Sequence, residues 1–184
     1  MIDHAAALFA ELGYRSTTLS LVADRLGIAK ATLFHHFSTK EQMLFTLYER
    51  AMELALARIA AVDDSDADAE AVVRAMVREH ALVILQNREL FTIFFAEEAG
   101  LEAEHLDRVR SQQADYVNMI ARRVSNLIED GRVRPEVHPH IAVQALIGAG
   151  GWTLRWFEPD GDLTATEIAD MLSDLLVDGL LARA

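Results

Sequence analysis

The stretch from Thr17 to Lys40 constrains this chain more than any other. Leu19, Val22, Ala23 and Leu26 recur at i, i+3, i+4 and i+7, the spacing of a short amphipathic helix. Thr17 or Thr18 is placed to cap it, since a hydroxyl accepts a bond from a free N–H of the first turn. Gly27 follows the last periodic residue, where a left-handed backbone ends a helix and glycine takes that conformation freely. A second short helix is expected from about Ala29 to His35 or His36, with Leu33 inward and Lys30, Thr32 and His35 outward. Two short helices joined by a glycine turn make a helix-turn-helix, whose second helix can enter the DNA major groove.

The run Gly13-Tyr14, Thr17-Thr18, Val22-Ala23 and Gly27 to Glu41 resembles the N-terminal domain of the TetR/AcrR family of transcriptional regulators. The resemblance covers about the first quarter of the chain at fixed spacing. It implies DNA contacts from Thr17, Thr18, Lys30, Ala31, Thr32, Phe34, His35, His36 and Lys40. Two departures stand out. Ala29 and Ala31 replace the Ser and Gly that often flank the lysine. Phe34 stands where the family often has Tyr, so a phenol able to reach a phosphate is missing.

Net charge is −12, which taken alone argues against DNA. Its distribution reverses that inference. Residues 1–50 carry five basic and five acidic side chains, and Gly13 to Lys40 carries four basic residues against one acid, Asp24. Charges beyond roughly 8 Å are largely screened at physiological salt, so a locally basic tip on an acidic body still attracts phosphates. A plain solvated acidic surface is the other reading of the same asymmetry.

The rest of the chain reads as helix throughout. Ile2 to Leu12 forms a first helix behind the helix-turn-helix, with Ile2, Ala6, Phe9 and Leu12 on one stripe. Ser38-Thr39-Lys40-Glu41 fits a capping box, opening a helix with Leu44, Leu47, Tyr48, Ala51, Ala55 and Ile59 inward. Lys40 in that first turn opposes the helix dipole and makes more sense beside a phosphate. Asp63 to Ala69 reads as an acidic linker. Further helices are expected over 70–87, 89–99, 102–130, 139–157 and 164–182. Within the span 139–157, Gly148-Ala149-Gly150-Gly151 needs a reason, because each interior glycine costs about 1 kcal/mol against alanine. Close approach of another helix supplies one. The fold expected is all-α: a three-helix helix-turn-helix head (1–46) on a larger ligand-binding and dimerisation body (47–184).

The family resemblance implies that the space between body helices holds an effector. Candidate lining residues are His80, Phe91, Phe94 and Phe95, with Gln113, Tyr116 and Met119. Most read equally well as plain core, and His80 or Gln113 as core polar groups with internal partners. Trp152 and Arg155 join them because Gly151-Trp152, Arg155-Trp156-Phe157 and Pro159-Asp160-Gly161 look similar to TetR-like regulators of fatty-acid and sterol degradation. That likeness implies an acyl-coenzyme A thioester or a fatty acid. Arg155 is the only charged group between His140 and Phe157, so it can meet a ligand anion bidentately or an acid of a second copy. The resemblance also implies a homodimer through helices at about 139–157 and 164–182, on palindromic operator DNA, usually as a repressor.

Other classes are excluded or weak. There is no Cys, so disulfides and thiolate metal sites are absent. His138-Pro139-His140 lacks a spaced third ligand, no nucleophile motif or phosphate-cradling glycine loop occurs, and no cofactor is expected. The chain does not read as an enzyme. Asp3 and Glu11 interrupt the N-terminal apolar pattern, unlike a signal peptide. The longest uncharged run, Val137 to Leu154, holds three glycines and suits a buried helix better than a membrane span. A cytoplasmic regulator is the expectation. The alternative is an all-α small-molecule-binding or interaction protein whose head no longer binds DNA.

Overall fold

The computed structural model describes residues 1–63 and 67–182. Nine α-helices occur among them: α1 (Ile2–Leu12), α2 (Leu19–Leu26), α3 (Lys30–His36), α4 (Lys40–Asp63), α5 (Ala69–Gln86), α6 (Arg88–Ala96), α7 (Ala103–Glu129), α8 (Pro139–Trp152) and α9 (Ala165–Leu180). The fold is all-α, and the β-pairing among the described residues is one isolated bridge between Val133 and Leu181. No described helix is long and apolar enough to cross a membrane. Part of the expected acidic linker, residues 64–66, lies outside the described residues.

The chain forms two compact units. The first comprises Met1–Glu53 and Asn87–Gln112, the second Leu54–Gln86 and Gln113–Ala184. In the first, α1 packs on α6, and α2 packs on α3 and α1. Ala5, Ala6, Leu8 and Phe9 of α1 are buried, whereas Ile2 is half-buried and Leu12 is exposed. The inward stripe is therefore turned slightly from the one expected. Leu44, Leu47, Tyr48 and Ala51 of α4 are buried as their spacing predicts. The Tyr48 hydroxyl donates to the Phe94 carbonyl at 2.7 Å, so this core phenol satisfies its polar end.

The cap of α4 differs from the expected box. Thr39, not Ser38, accepts from the Gln42 N–H, and the Gln42 amide oxygen accepts from both the N–H and hydroxyl of Ser38. Glu41 is thereby released. It accepts from the Glu102 N–H at 3.1 Å and lies 2.8 Å from His105 Nδ1.

In the second unit α5 packs along α9 and against α8. Ala81 and Leu82 meet Ala169, and Leu85 meets Phe157 and Ile168. Thr164 and Glu167 form the expected capping box of α9. Two arginines clasp the outer edge of this pair: Arg74 binds Asp174 and Asp178, and Arg78 binds Asp170. The acids recur every four residues, one face of α9. α8 ends at Trp152, short of the expected Phe157, and continues as a single 3-10 turn over Thr153–Arg155. There the buried Thr153 hydroxyl donates to the Gly150 carbonyl at 2.6 Å, a local bond that competes with the helical ladder.

Candidate functional site

The head positions a short outward helix by two local devices. Thr18 caps α2, its hydroxyl accepting from the Leu21 N–H at 3.2 Å. Gly27 closes α2 with φ 66°, a left-handed conformation that side chains avoid. The chain is thus turned into α3, where only Leu33 is buried. Ala31, Thr32, Phe34, His35 and His36 are all exposed.

Two residues expected at the DNA have partners inside the protein. Thr17 is fully buried, and its hydroxyl donates to the Gly13 carbonyl at 2.9 Å. Its side chain holds the turn before α2 and is withdrawn from the surface. Lys40 donates to the carbonyls of Tyr14 and Arg15 at 2.8 and 3.2 Å, with its ammonium 4.4 Å from the centre of the Tyr14 ring. It ties the start of α4 to the end of α1, leaving one of three ammonium donors for a phosphate. Lys30 and Arg25 are exposed and make only loose pairs, 3.5 Å from Asp24 and 3.8 Å from Glu11.

The expected effector residues divide between the two units. Phe91, Phe94 and Phe95 belong to the first, stacked edge-on or tilted at 5.3 to 6.3 Å between ring centres. Phe91 and Phe94 are buried and Phe95 is exposed. His80, Gln113, Tyr116, Met119, Trp152 and Arg155 belong to the second. Gln113 and Met119 are half-buried, and Arg155 is exposed. Trp152 is 65% exposed and joins Ile141 of α8 and Met171 and Leu175 of α9 in an uncovered apolar set.

His80 is the polar centre of the second unit. Its Nε2 lies 2.9 Å from the Ile147 carbonyl and its Nδ1 2.7 Å from the Tyr116 hydroxyl. A carbonyl only accepts, so Nε2 carries the proton and Nδ1 accepts from Tyr116. One imidazole thereby joins α5, α7 and α8. Gly150 makes room for it: a Cβ there would fall 2.7 Å from Nε2 and closer still to Cδ2. Burial holds the His80 pKa below its ordinary 6.5 and raises that of Tyr116. A depressed histidine pKa means that the unfolded chain binds the proton first. The stability His80 contributes is complete above pH 6.5 and falls as the pH drops toward its folded value. Urea unfolding is expected to show stability falling as the pH drops below 6.5, by no more than about 1.4 kcal/mol per pH unit for one proton, and flattened in His80→Gln. An undiminished slope in the variant would assign the titration to another group.

Sequence reasoning missed the Glu41 bridge and the arginine clasp. The four-residue repeat of Asp170, Asp174 and Asp178 was the available signal for the clasp; no local signal marks Glu102 or His105 as partners of Glu41. No group of residues suited to a metal occurs among those described.

Two family models match. "Bacterial regulatory proteins, tetR family" covers residues 1–47, and "Tetracyclin repressor-like, C-terminal domain" covers 66–180. The chain is 26% identical over 181 residues to the HTH-type transcriptional repressor KstR2 of Rhodococcus jostii (strain RHA1), covering 98% of this chain and 89% of that protein. Among solved structures it is similar to the TetR family regulator PfmR of Thermus thermophilus, with TM-score 0.89, 29% identity and coverage of 99% and 98% of the two chains. It is also similar to AibR in complex with isovaleryl coenzyme A and operator DNA, with TM-score 0.85, 28% identity and coverage of 96% and 95%.

Proposed function

The chain belongs to the TetR family of bacterial regulatory proteins, and from that premise we propose that it represses transcription from a two-fold operator as a homodimer and is released by an acyl-coenzyme A ester or fatty acid. It is a regulator and not an enzyme, and it acts in the cytoplasm, where its DNA lies. Residues 1–46 read the operator, and residues 47–184 hold the effector and pair the chains.

The observation that carries this reading is α3, which turns every side chain except Leu33 out to solvent or its margin. A helix so seated by caps on a packed head is built to enter a groove. Thr18, Lys30, Ala31, Thr32, Phe34, His35 and His36 face the DNA. Lys40 adds its remaining donor and orients Tyr14 and Arg15. Pairing runs through α8 and α9, whose uncovered apolar residues need a second copy.

The effector class rests on likeness. AibR was solved with isovaleryl coenzyme A, and the Trp152 to Gly161 segment resembles regulators of fatty-acid and sterol degradation. An effector shifts the DNA-binding equilibrium only by its differential affinity for the two states, and operator weakens effector binding by the same factor.

The test is binding to a duplex selected from a random library. Removing one cation from a phosphate lowers the salt slope by about 0.9, so Lys30→Ala is expected to flatten the slope by that amount and weaken all sequences alike. Unchanged affinity and slope would contradict the docking. Failure to select any operator would favour the alternative, a binding protein with a degenerate head, which the internal engagement of Lys40 supports.

A further inference from the structure

We infer that this regulator reads its operator half-site through the C5 methyl groups of thymine, with Phe34 as the principal apolar contact. The inference rests on the regulator reading and adds the base chemistry to it. Residues 30–36 are Lys-Ala-Thr-Leu-Phe-His-His. Arg, Asn and Gln, which grip guanine or adenine bidentately in the major groove, are absent from this helix.

At about 100° per residue, Ala31 and His35 point directly away from buried Leu33, with Thr32 and Phe34 beside them. Lys30 falls nearer the buried side, 3.5 Å from Asp24, where a phosphate is the closer target. The face presented to a groove is therefore a methyl, a hydroxyl with its methyl, an aromatic ring and one imidazole.

Phe34 is 47% exposed despite its size. Single exposed apolar residues are common, but this one lies three residues from Ala31, its neighbour on the helix surface, and flanks the reading face on that side. A phenyl ring lacks the hydroxyl needed to bind a phosphate. The apolar feature on the major-groove edges of the bases is the thymine methyl. Ala31 and the Thr32 methyl extend the same preference. His35 is left as the donor or acceptor for a purine edge.

The experiment uses the full chain and a duplex it selects from a random library. Each thymine of a half-site is replaced in turn by deoxyuridine, which lacks only the methyl. One or two positions are expected to weaken binding about fourfold each, the factor that burial of one methyl-sized group corresponds to. Phe34→Ala is expected to bind the thymine and deoxyuridine duplexes alike, and Phe34→Leu to keep the preference. The exposed position makes loss of fold by either variant easy to check from the helical circular dichroism signal. Equal binding of every deoxyuridine duplex by the unaltered chain overturns the methyl readout. So does undiminished discrimination by Phe34→Ala. Either result leaves an enriched operator, and so the regulator reading, in place; a chain that enriches no sequence overturns both.

Discussion

Gly150→Leu is expected to destabilise the second unit by several kcal/mol, whereas Gly148→Leu leaves each chain as stable as the parent and stops it from pairing. The two glycines lie two residues apart on α8 yet face different surroundings. A Cβ at 150 meets the imidazole of His80 at 2.7 Å or less, while one at 148 meets nothing within 4 Å. His80 is fully hemmed in and holds two hydrogen bonds, so the ring cannot swing aside without breaking them. Overpacking costs about 1–3 kcal/mol, and breaking each buried bond adds about 1 kcal/mol. Against a total stability of about 5–15 kcal/mol, that loss is a large fraction and lowers the urea midpoint accordingly. Leucine at 148 gains about 1 kcal/mol of helix propensity over glycine and intrudes only on a neighbouring copy. Urea unfolding reads the first variant and sedimentation the second. A Gly150→Leu chain as stable as the parent would contradict the packing described for His80.

Replacing Leu175 by glutamate is expected to produce a folded monomer that has lost operator affinity by about 10²–10⁴-fold. Leu175 is 71% exposed on the single chain, with Met171 one turn before it on α9 and Ile141 and Trp152 uncovered on α8. A charge there costs the single chain little, since the site is already solvated. In the dimer the same charge would be buried without a partner, at a cost of several kcal/mol. Two heads on half-sites about one helical turn apart, or a multiple of it, bind with the advantage of linkage; one head does not. Sedimentation and operator binding should therefore fail together while the chain keeps its helical signal, its melting lowered only by the lost association. A Leu175→Glu chain that stays dimeric would place the interface elsewhere.

The elements most legible from sequence were those set by local chemistry. α1, α2 and the capping box of α9 fall where periodicity, Gly27 and Thr164-to-Glu167 put them. What sequence could not show were choices between local and distant partners. Ser38 and Thr39 are chemically equivalent caps; Gln42 decides between them by satisfying Ser38, and Glu41 then turns to the start of a helix 61 residues away. Lys40 looked like a cation misplaced against a helix dipole. It is instead held by two carbonyls and the Tyr14 ring. The small residues of α8 were expected at a close helix approach, and Gly150 is at one, but to the imidazole of α5. Thr17 and Thr18 illustrate the limit for the site: adjacent hydroxyls, one buried and one capping in the open, cannot be told apart by type.

If operator and acyl effector are coupled in this protein, the ligand empties the DNA. The most direct measurement is operator occupancy, by fluorescence anisotropy of a labelled selected duplex, as acyl-coenzyme A esters of increasing chain length, free fatty acids and neutral aromatics are added. Binding alone is checked in parallel by thermal stabilisation, where a ligand at about a hundred times its dissociation constant adds about 2.7 kcal/mol. Two chains are expected to leave each duplex as an acyl ester or fatty acid saturates, with the release midpoint moving to higher ligand when more operator is present. Release by a neutral aromatic alone, with no stabilisation by any acyl compound, would contradict the proposed effector; tight, stabilising acyl binding that leaves the duplex fully occupied would contradict the coupling itself.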